Sequence, residues 1–213
     1  MLVKAVMTPN PVTITENTTL LDAMDEMRRK GFSRLLVTRD ERLIGIVTEL
    51  DLMRVAPSPA TTLSKWEQNS LLARMTVRDV MTKNPLTISP EATVEEAALL
   101  MRDKQISGLP VVEDGHIVGI VTEKDLFNTF VNLMHAPAPG ARITLKVENR
   151  VGVLAEVCRI VSDLGIFILT IATFGDQAHP EIILKVREQK VDELVQNLNA
   201  AGYQVVNVSV STE

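Results

Sequence analysis

Two short strings carry the side chains best placed for chemistry. Gly45, Thr48 and Asp51 recur as Gly119, Thr122 and Asp125, each a Gly-x-x-Thr-x-x-Asp run that ends an apolar stretch and opens a helix. A threonine three residues before an aspartate can cap the helix and satisfy local backbone, or the pair can serve a polar ligand. Arg34 is a third candidate, because its counterpart in the second copy is Gly108. A guanidinium can hold a phosphate through paired donors where glycine cannot, although a solvated charge is the plain alternative. Catalytic groupings are missing. His116, His135 and His179 lie far apart, and Cys158 falls on an apolar stripe as a packed thiol. One cysteine excludes an internal disulfide and a Cys-based zinc cluster. With no Gly-x-Ser-x-Gly, His-Glu-x-x-His or Walker loop, the expectation is a protein that is not an enzyme and holds no metal.

The strings belong to a longer repeat. Residues 3–54 match residues 77–128 at a constant offset of 74, with 24 of 52 positions identical. Each copy reads β-α-β-β-α. In the first, Val12-Thr13-Ile14 is a short strand, and Leu20, Ala23, Met24 and Met27 recur at helical spacing over Thr19–Lys30. Leu35-Leu36-Val37, a turn at Arg39-Asp40-Glu41, and Leu43–Thr48 follow, then a short helix from Glu49. The second copy repeats this with Val94, Ala97, Ala98 and Met101 on its helix and Thr93 as N-cap. Met7 and Met81 read as core residues.

Proline-rich linkers divide the chain. The spacing gives a first repeat over 1–55, a linker over 56–76, a second repeat over 77–135, a linker over 136–141 and a tail domain over 142–213. Within the first linker, Ser64-Lys65-Trp66-Glu67 fits a capping box opening a helix through about Arg74, with Trp66 packed. The tail reads β-α-β-β-α-β. Ile143, Leu145 and Val147 alternate as a strand, Val153, Leu154, Val157, Ile160, Val161 and Leu164 form a helical stripe, and Gly165 stops it. Phe167–Phe174, Ile182–Arg187 and Tyr203–Val210 are strands, with a helix over Val191–Leu198 between the last two. The fold class is α/β (α+β), the tail having a ferredoxin-like order.

Composition narrows the partners. A net charge of −5, from 22 basic and 27 acidic residues, argues against nucleic acid or an anionic membrane as partner. Aromatics at 3% leave no stacking platform. No apolar run approaches the ~18–20 residues of a membrane span, and no signal-like stretch opens the chain, so a cytoplasmic protein is expected.

The paired strings, with Ser107-Gly108-Leu109-Pro110-Val111-Val112, make residues 1–130 resemble a tandem pair of CBS domains. Lys146–Ala155 and Leu164-Gly165-Ile166 make the tail resemble an ACT domain. The combination resembles the acetoin-utilisation AcuB-like proteins. The CBS resemblance implies two clefts between the repeats, each able to hold an adenine nucleotide or adenosyl compound: AMP, ADP, ATP or S-adenosylmethionine, as a regulatory ligand and not an obligatory cofactor. An Asp carboxylate can accept ribose hydroxyls, and a Thr at a helix mouth can bind phosphate. Carried over by position, one cleft would use Thr48 and Asp51 with Leu86, Ile106 and Ser107. The other would use Thr122 and Asp125 with Val12, Phe32 and Ser33. Arg34 makes the Thr48/Asp51 cleft the expected place for a phosphorylated ligand.

The ACT resemblance implies self-association and a small-molecule site, often for an amino acid, at Asn149, Arg150, Val151, Gly152, Val153 and Leu154. Ile166-Phe167-Ile168 departs from the polar residue frequent there, so dimerisation is the stronger expectation. The whole points to a ligand-sensing regulator, a homodimer or larger, acting on a target enzyme. Two alternatives stand: a purely structural module regulating a partner enzyme without its own ligand, and a DNA-associated regulator.

Overall fold

The computed structural model describes residues 1–55, 64, 67, 74–176, 180–187 and 190–211. These form two compact units, Met1–Phe127 and Asn128–Glu213. Trp66, most of the first linker and His179 lie outside the described residues. Ser64 and Glu67 do not: Ser64 N–H and Oγ–H donate to Glu67 Oε2 at 2.8 and 2.7 Å, and Glu67 N–H donates to Ser64 Oγ at 3.3 Å, as the capping-box spacing predicts.

In the first unit, β1 (Thr8–Pro9), β2 (Thr13–Thr15), α1 (Leu20–Lys30), β3 (Arg34–Arg39), β4 (Arg42–Thr48) and α2 (Glu49–Val55) are followed by β5 (Thr82–Lys83), α3 (Val94–Lys104), β6 (Gly108–Glu113), β7 (His116–Thr122) and α4 (Glu123–Leu133). Local chemistry sets the helix ends. Thr19 caps α1 by accepting from Asp22 N–H at 3.1 Å, and Gly31 closes it in a left-handed conformation. Thr93 and Glu96 form the capping box of α3. Asp40 and Glu41, and Asp114 and Gly115, take positive φ in the two hairpin turns that aim β4 and β7 back along β3 and β6.

The repeats in the sequence and the layers of the fold do not coincide. One sheet runs β2-β3-β4-β5 and the other β1-β7-β6, so each repeat lends its opening strand to the other's sheet. Val3 N–H donates to Ala92 O at 2.8 Å, and Val77 N–H to Thr18 O at 2.9 Å, fixing the exchanged segments at both helix starts. Val3 is buried in the core with Met101, Leu109 and Val121; Val77 is buried with Leu20, Met27 and Val47. The exchanged strands are absent from the sequence expectation, since two residues are too few to show a period. The second copy's first strand shrinks to one parallel bridge, Ile88 to Val111. Ala98, expected on the core face of α3, is exposed. Leu100 packs on this core in its stead.

In the second unit, β8 (Gly140–Lys146), α5 (Val153–Asp163), β9 (Ile168–Phe174), β10 (Glu181–Val186), α6 (Val191–Ala200) and β11 (Gln204–Ser211) give an antiparallel sheet of order β11-β8-β10-β9. Ile143, Leu145, Ile182 and Leu184 bury one face against Val157 and Val161 of α5 and Leu194 and Leu198 of α6. On the other face Lys185 is 3% exposed, its Nζ donating to His135 O at 2.6 Å and Ala136 O at 3.2 Å. Both carbonyls belong to the turn that follows α4, where His135 O also accepts from Ala138 N–H at 3.0 Å. The boundary between the units falls inside α4, between Phe127 and Asn128. Among the described residues no helix is long and apolar enough to cross a membrane.

Candidate functional site

A cavity of about 480 Å3 in the first unit is lined by Arg34, Thr48, Asp51, Leu86, Ile106 and Ser107, every residue expected for the first cleft. Thr48 and Asp51 come from the junction of β4 and α2; Ile106 and Ser107 precede β6 of the other repeat. Thr82, Asn84 and Pro85 also line it, arriving with the exchanged β5. Their identity with Thr8, Asn10 and Pro11 is the signal in the sequence that could have found them.

Asp51 and Thr48 hold each other. Asp51 Oδ2 accepts from Thr48 N–H at 2.9 Å and from Thr48 Oγ–H at 2.7 Å, while Asp51 N–H donates to Thr48 Oγ at 3.3 Å. Helix capping therefore takes up one carboxylate oxygen and the only hydroxyl hydrogen of Thr48. Thr48 acts here as the holder of Asp51, not as a donor free for phosphate. Oδ1 remains an acceptor for a ligand's hydroxyls. Thr122 and Asp125 repeat the box, with 2.8 and 2.6 Å to Asp125 Oδ2.

Arg34 is the charged group that distinguishes this cleft. It is half-buried, with Nη1 donating to Ser107 O and Nη2 to Ser33 Oγ at 3.4 Å, and its buried Nε has no partner. No carboxylate among the described residues pairs with it directly. Burial pushes Arg34 below the usual arginine value, and Glu123 and Asp125 act at longer range in the opposite sense. Lys104 adds a second cation to the lining. A half-buried guanidinium without an ion-pair partner favours an anionic guest.

Of the residues expected for the second cleft, two share a smaller cavity. Phe32 and Ser33 line a cavity of about 290 Å3 with Met27, Glu49, Leu52 and Met53, and Thr122 and Asp125 are not part of it. Val12 packs on the first repeat's core.

A larger cavity, about 600 Å3, lies in the second unit. Asn149, Arg150, Gly152, Val153 and Leu154 line it, and Val151 is fully exposed instead. Gly152 is required by its φ of +93° at the start of α5, not by crowding, since a Cβ there would meet nothing within 4 Å. Glu156 accepts both ends of the Arg150 fork at 2.8 and 2.6 Å, and Tyr203 Oη–H at 2.6 Å. Arg150, then Tyr203, hold the pKa of the Glu156 carboxyl down at about 2. Burial, then Glu156, push the Tyr203 phenol up. Arg150 is thus committed to fastening its loop. Size favours this cavity, but the donor set of the smaller one is the more specific. Among the described residues no group of three or more His, Cys, Asp or Glu could hold a metal ion.

The model of the CBS domain matches residues 3–58 and 77–132, the two halves that build the 480 Å3 cavity. The chain belongs to the CBS-domain family. A CBS domain-containing protein of Dictyostelium discoideum is 34% identical over 140 residues, 65% of this chain and 97% of that protein. An inosine-5'-monophosphate dehydrogenase of Korarchaeum cryptofilum is 38% identical over 117 residues, 54% of this chain but only 21% of the dehydrogenase. Among solved structures, a candidate acetoin utilization protein (AcuB) from Vibrio cholerae aligns at 28% identity and TM-score 0.53, covering 64% of this chain and 95% of that one. A CBS domain pair in complex with 5'-methylthioadenosine and S-adenosyl-L-methionine aligns at 28% and 0.52, covering 62% and 97%. CBSX2 in complex with AMP aligns at 28% and 0.51, covering 62% and 96%. The CBS pair is a regulatory module by family, and two of these relatives hold adenosyl ligands.

Proposed function

We propose that this CBS pair senses an adenine nucleotide in the Thr48/Asp51 cleft and passes its occupancy to a target enzyme. The observation that carries this is one cavity joining Asp51, with a carboxylate oxygen to spare, to an arginine that lacks an ion-pair partner. Asp51 Oδ1 takes the ribose hydroxyls, Leu86 and Ile106 flank the base, and Arg34 takes the phosphate. The AMP complex of CBSX2 supports the ligand class. Binding would favour one arrangement of the repeats over another, and a tenfold difference in affinity between them supplies ~1.4 kcal/mol, enough only for a switch near balance.

For the second unit the same proposal takes its strand order as that of an ACT domain and gives it the role of self-association in a cytoplasmic homodimer. Arg150, held by Glu156, is not available to an amino-acid carboxylate, which supports dimerisation over amino-acid sensing. Likeness to AcuB makes acetoin utilisation the first pathway in which to seek the regulated enzyme. The satisfied capping boxes favour one rival, a module that regulates without a ligand of its own. Calorimetry and thermal shift of the full chain with AMP, ADP, ATP and S-adenosylmethionine decide between them. Heat and stabilisation with a nucleotide support sensing, and silence with all four ligands supports the rival.

A further inference from the structure

Arg34 and Gly108 occupy matching positions in the two repeats, at the starts of β3 and β6. In the fold they touch. A Cβ built on Gly108 would collide with Arg34 Nη1, and would stand 3.2 Å from Cζ and 3.3 Å from Cδ. The guanidinium lies across the bare backbone of Gly108 and donates to the carbonyl of the preceding residue, Ser107, which also accepts from Glu123 N–H at 3.2 Å. A single cation is therefore seated on the other repeat's strand, at the wall of the cleft. Its Nη1 is taken up by that carbonyl, which leaves Nη2 as the terminal nitrogen with donor capacity to spare for an oxyanion. Nε has no acceptor, and the Nη2 contact to Ser33 is long at 3.4 Å.

We propose that Gly108 is a positioning residue: its missing side chain seats Arg34 at the cleft, and this makes the site select phosphorylated adenosine over unphosphorylated or cationic adenosyl compounds. The inference rests on the nucleotide reading of that cleft. An oxyanion takes up the spare donor capacity of Nη2 and the positive charge. Adenosine offers it nothing, and the sulfonium of S-adenosylmethionine meets a like charge. Alanine at 108 is a clean perturbation. The backbone there is not in the left-handed region, and the atom it displaces first is the far end of a flexible side chain, so the strand can stay while Arg34 swings away.

The test is calorimetry on the full chain with AMP and adenosine, using wild type, Gly108→Ala, Arg34→Ala and the double variant, each checked for an unchanged circular dichroism spectrum. AMP is expected to bind wild type at least tenfold more tightly than adenosine. Gly108→Ala is expected to weaken AMP about tenfold and leave adenosine within twofold, and to add nothing once Arg34 is alanine, since both changes remove one interaction. Equal weakening of AMP and adenosine by Gly108→Ala, or additive losses in the double variant, overturns the positioning role while leaving the cleft a nucleotide site. Arg34→Lys keeps the charge without the guanidinium that lies across Gly108, and AMP binding to it as tight as to wild type overturns the seating proposed here. Wild type that takes neither ligand overturns the nucleotide reading itself, and this inference with it.

Discussion

The thioether of Met81 lies directly over Gly45, with a Cβ at that glycine standing 2.5 Å from Sδ and 3.2 Å from the Thr82 carbonyl. Met7 covers Gly119 in the same way. The glycine that opens each Gly-x-x-Thr-x-x-Asp string is there for packing, not for a ligand: it admits the methionine that anchors the other repeat's exchanged strand. Gly45→Ala must push back both a side chain and the backbone of β5. Overpacking of this kind costs about 1–3 kcal/mol. Urea unfolding should show a lower midpoint with little change in slope.

Asp51 has two jobs that one pair of substitutions separates. Asp51→Ala and Asp125→Ala each remove a helix cap, so each should cost about 1 kcal/mol of stability. Asp51→Ala should in addition weaken AMP binding by at least tenfold, the loss of charge-assisted hydrogen bonds being about 1.5–3 kcal/mol. Asp125→Ala should leave AMP affinity nearly unchanged. Denaturation and calorimetry on the same samples read both effects, and equal affinity losses would assign the ligand to neither cleft in particular.

Much of this organisation is legible in the sequence because it rests on local rules. The cap at Thr93, the left-handed stop at Gly165 and the apolar stripe of α5 depend on neighbours within one turn, and they stand where the spacing puts them. The strand exchange depends on pairing between residues distant in the chain, Thr8 with Ile120 and Ile46 with Thr82, and its signal is only the duplicated Val-Met-Thr. The first cleft was legible because both halves of it recur in register. The contact of Arg34 with Gly108 was not: the alignment of the repeats equates the two positions without revealing that they meet.

The Glu156 carboxyl, held at about 2 by Arg150 and Tyr203, sets an acid limit for the second unit. A depressed carboxylate contributes stability that is full above its unfolded value, near 4.5, and is lost as pH falls toward about 2. In calorimetric melts from pH 5 to pH 2, Glu156→Gln should flatten the fall in Tm over that window. An unchanged slope would mean that other carboxylates govern acid unfolding.

Exposed apolar side chains on the first unit include Leu50 and Met53 on α2 and Phe127 on α4, at 57%, 57% and 67% exposure. Surface of this kind is characteristic of association. Light scattering at micromolar concentration should give at least twice the chain mass of 23.5 kDa. A value equal to one chain would remove the homodimer from the proposal.

A crystal structure of the full chain grown with AMP tests the sensing role most directly. The expected result is one AMP in the cavity between β4 and the start of β6, a ribose hydroxyl within hydrogen-bonding distance of Asp51 Oδ1, and the phosphate on the Arg34 guanidinium. AMP bound only beside Thr122 and Asp125, or a cavity still empty at saturating nucleotide, would contradict it.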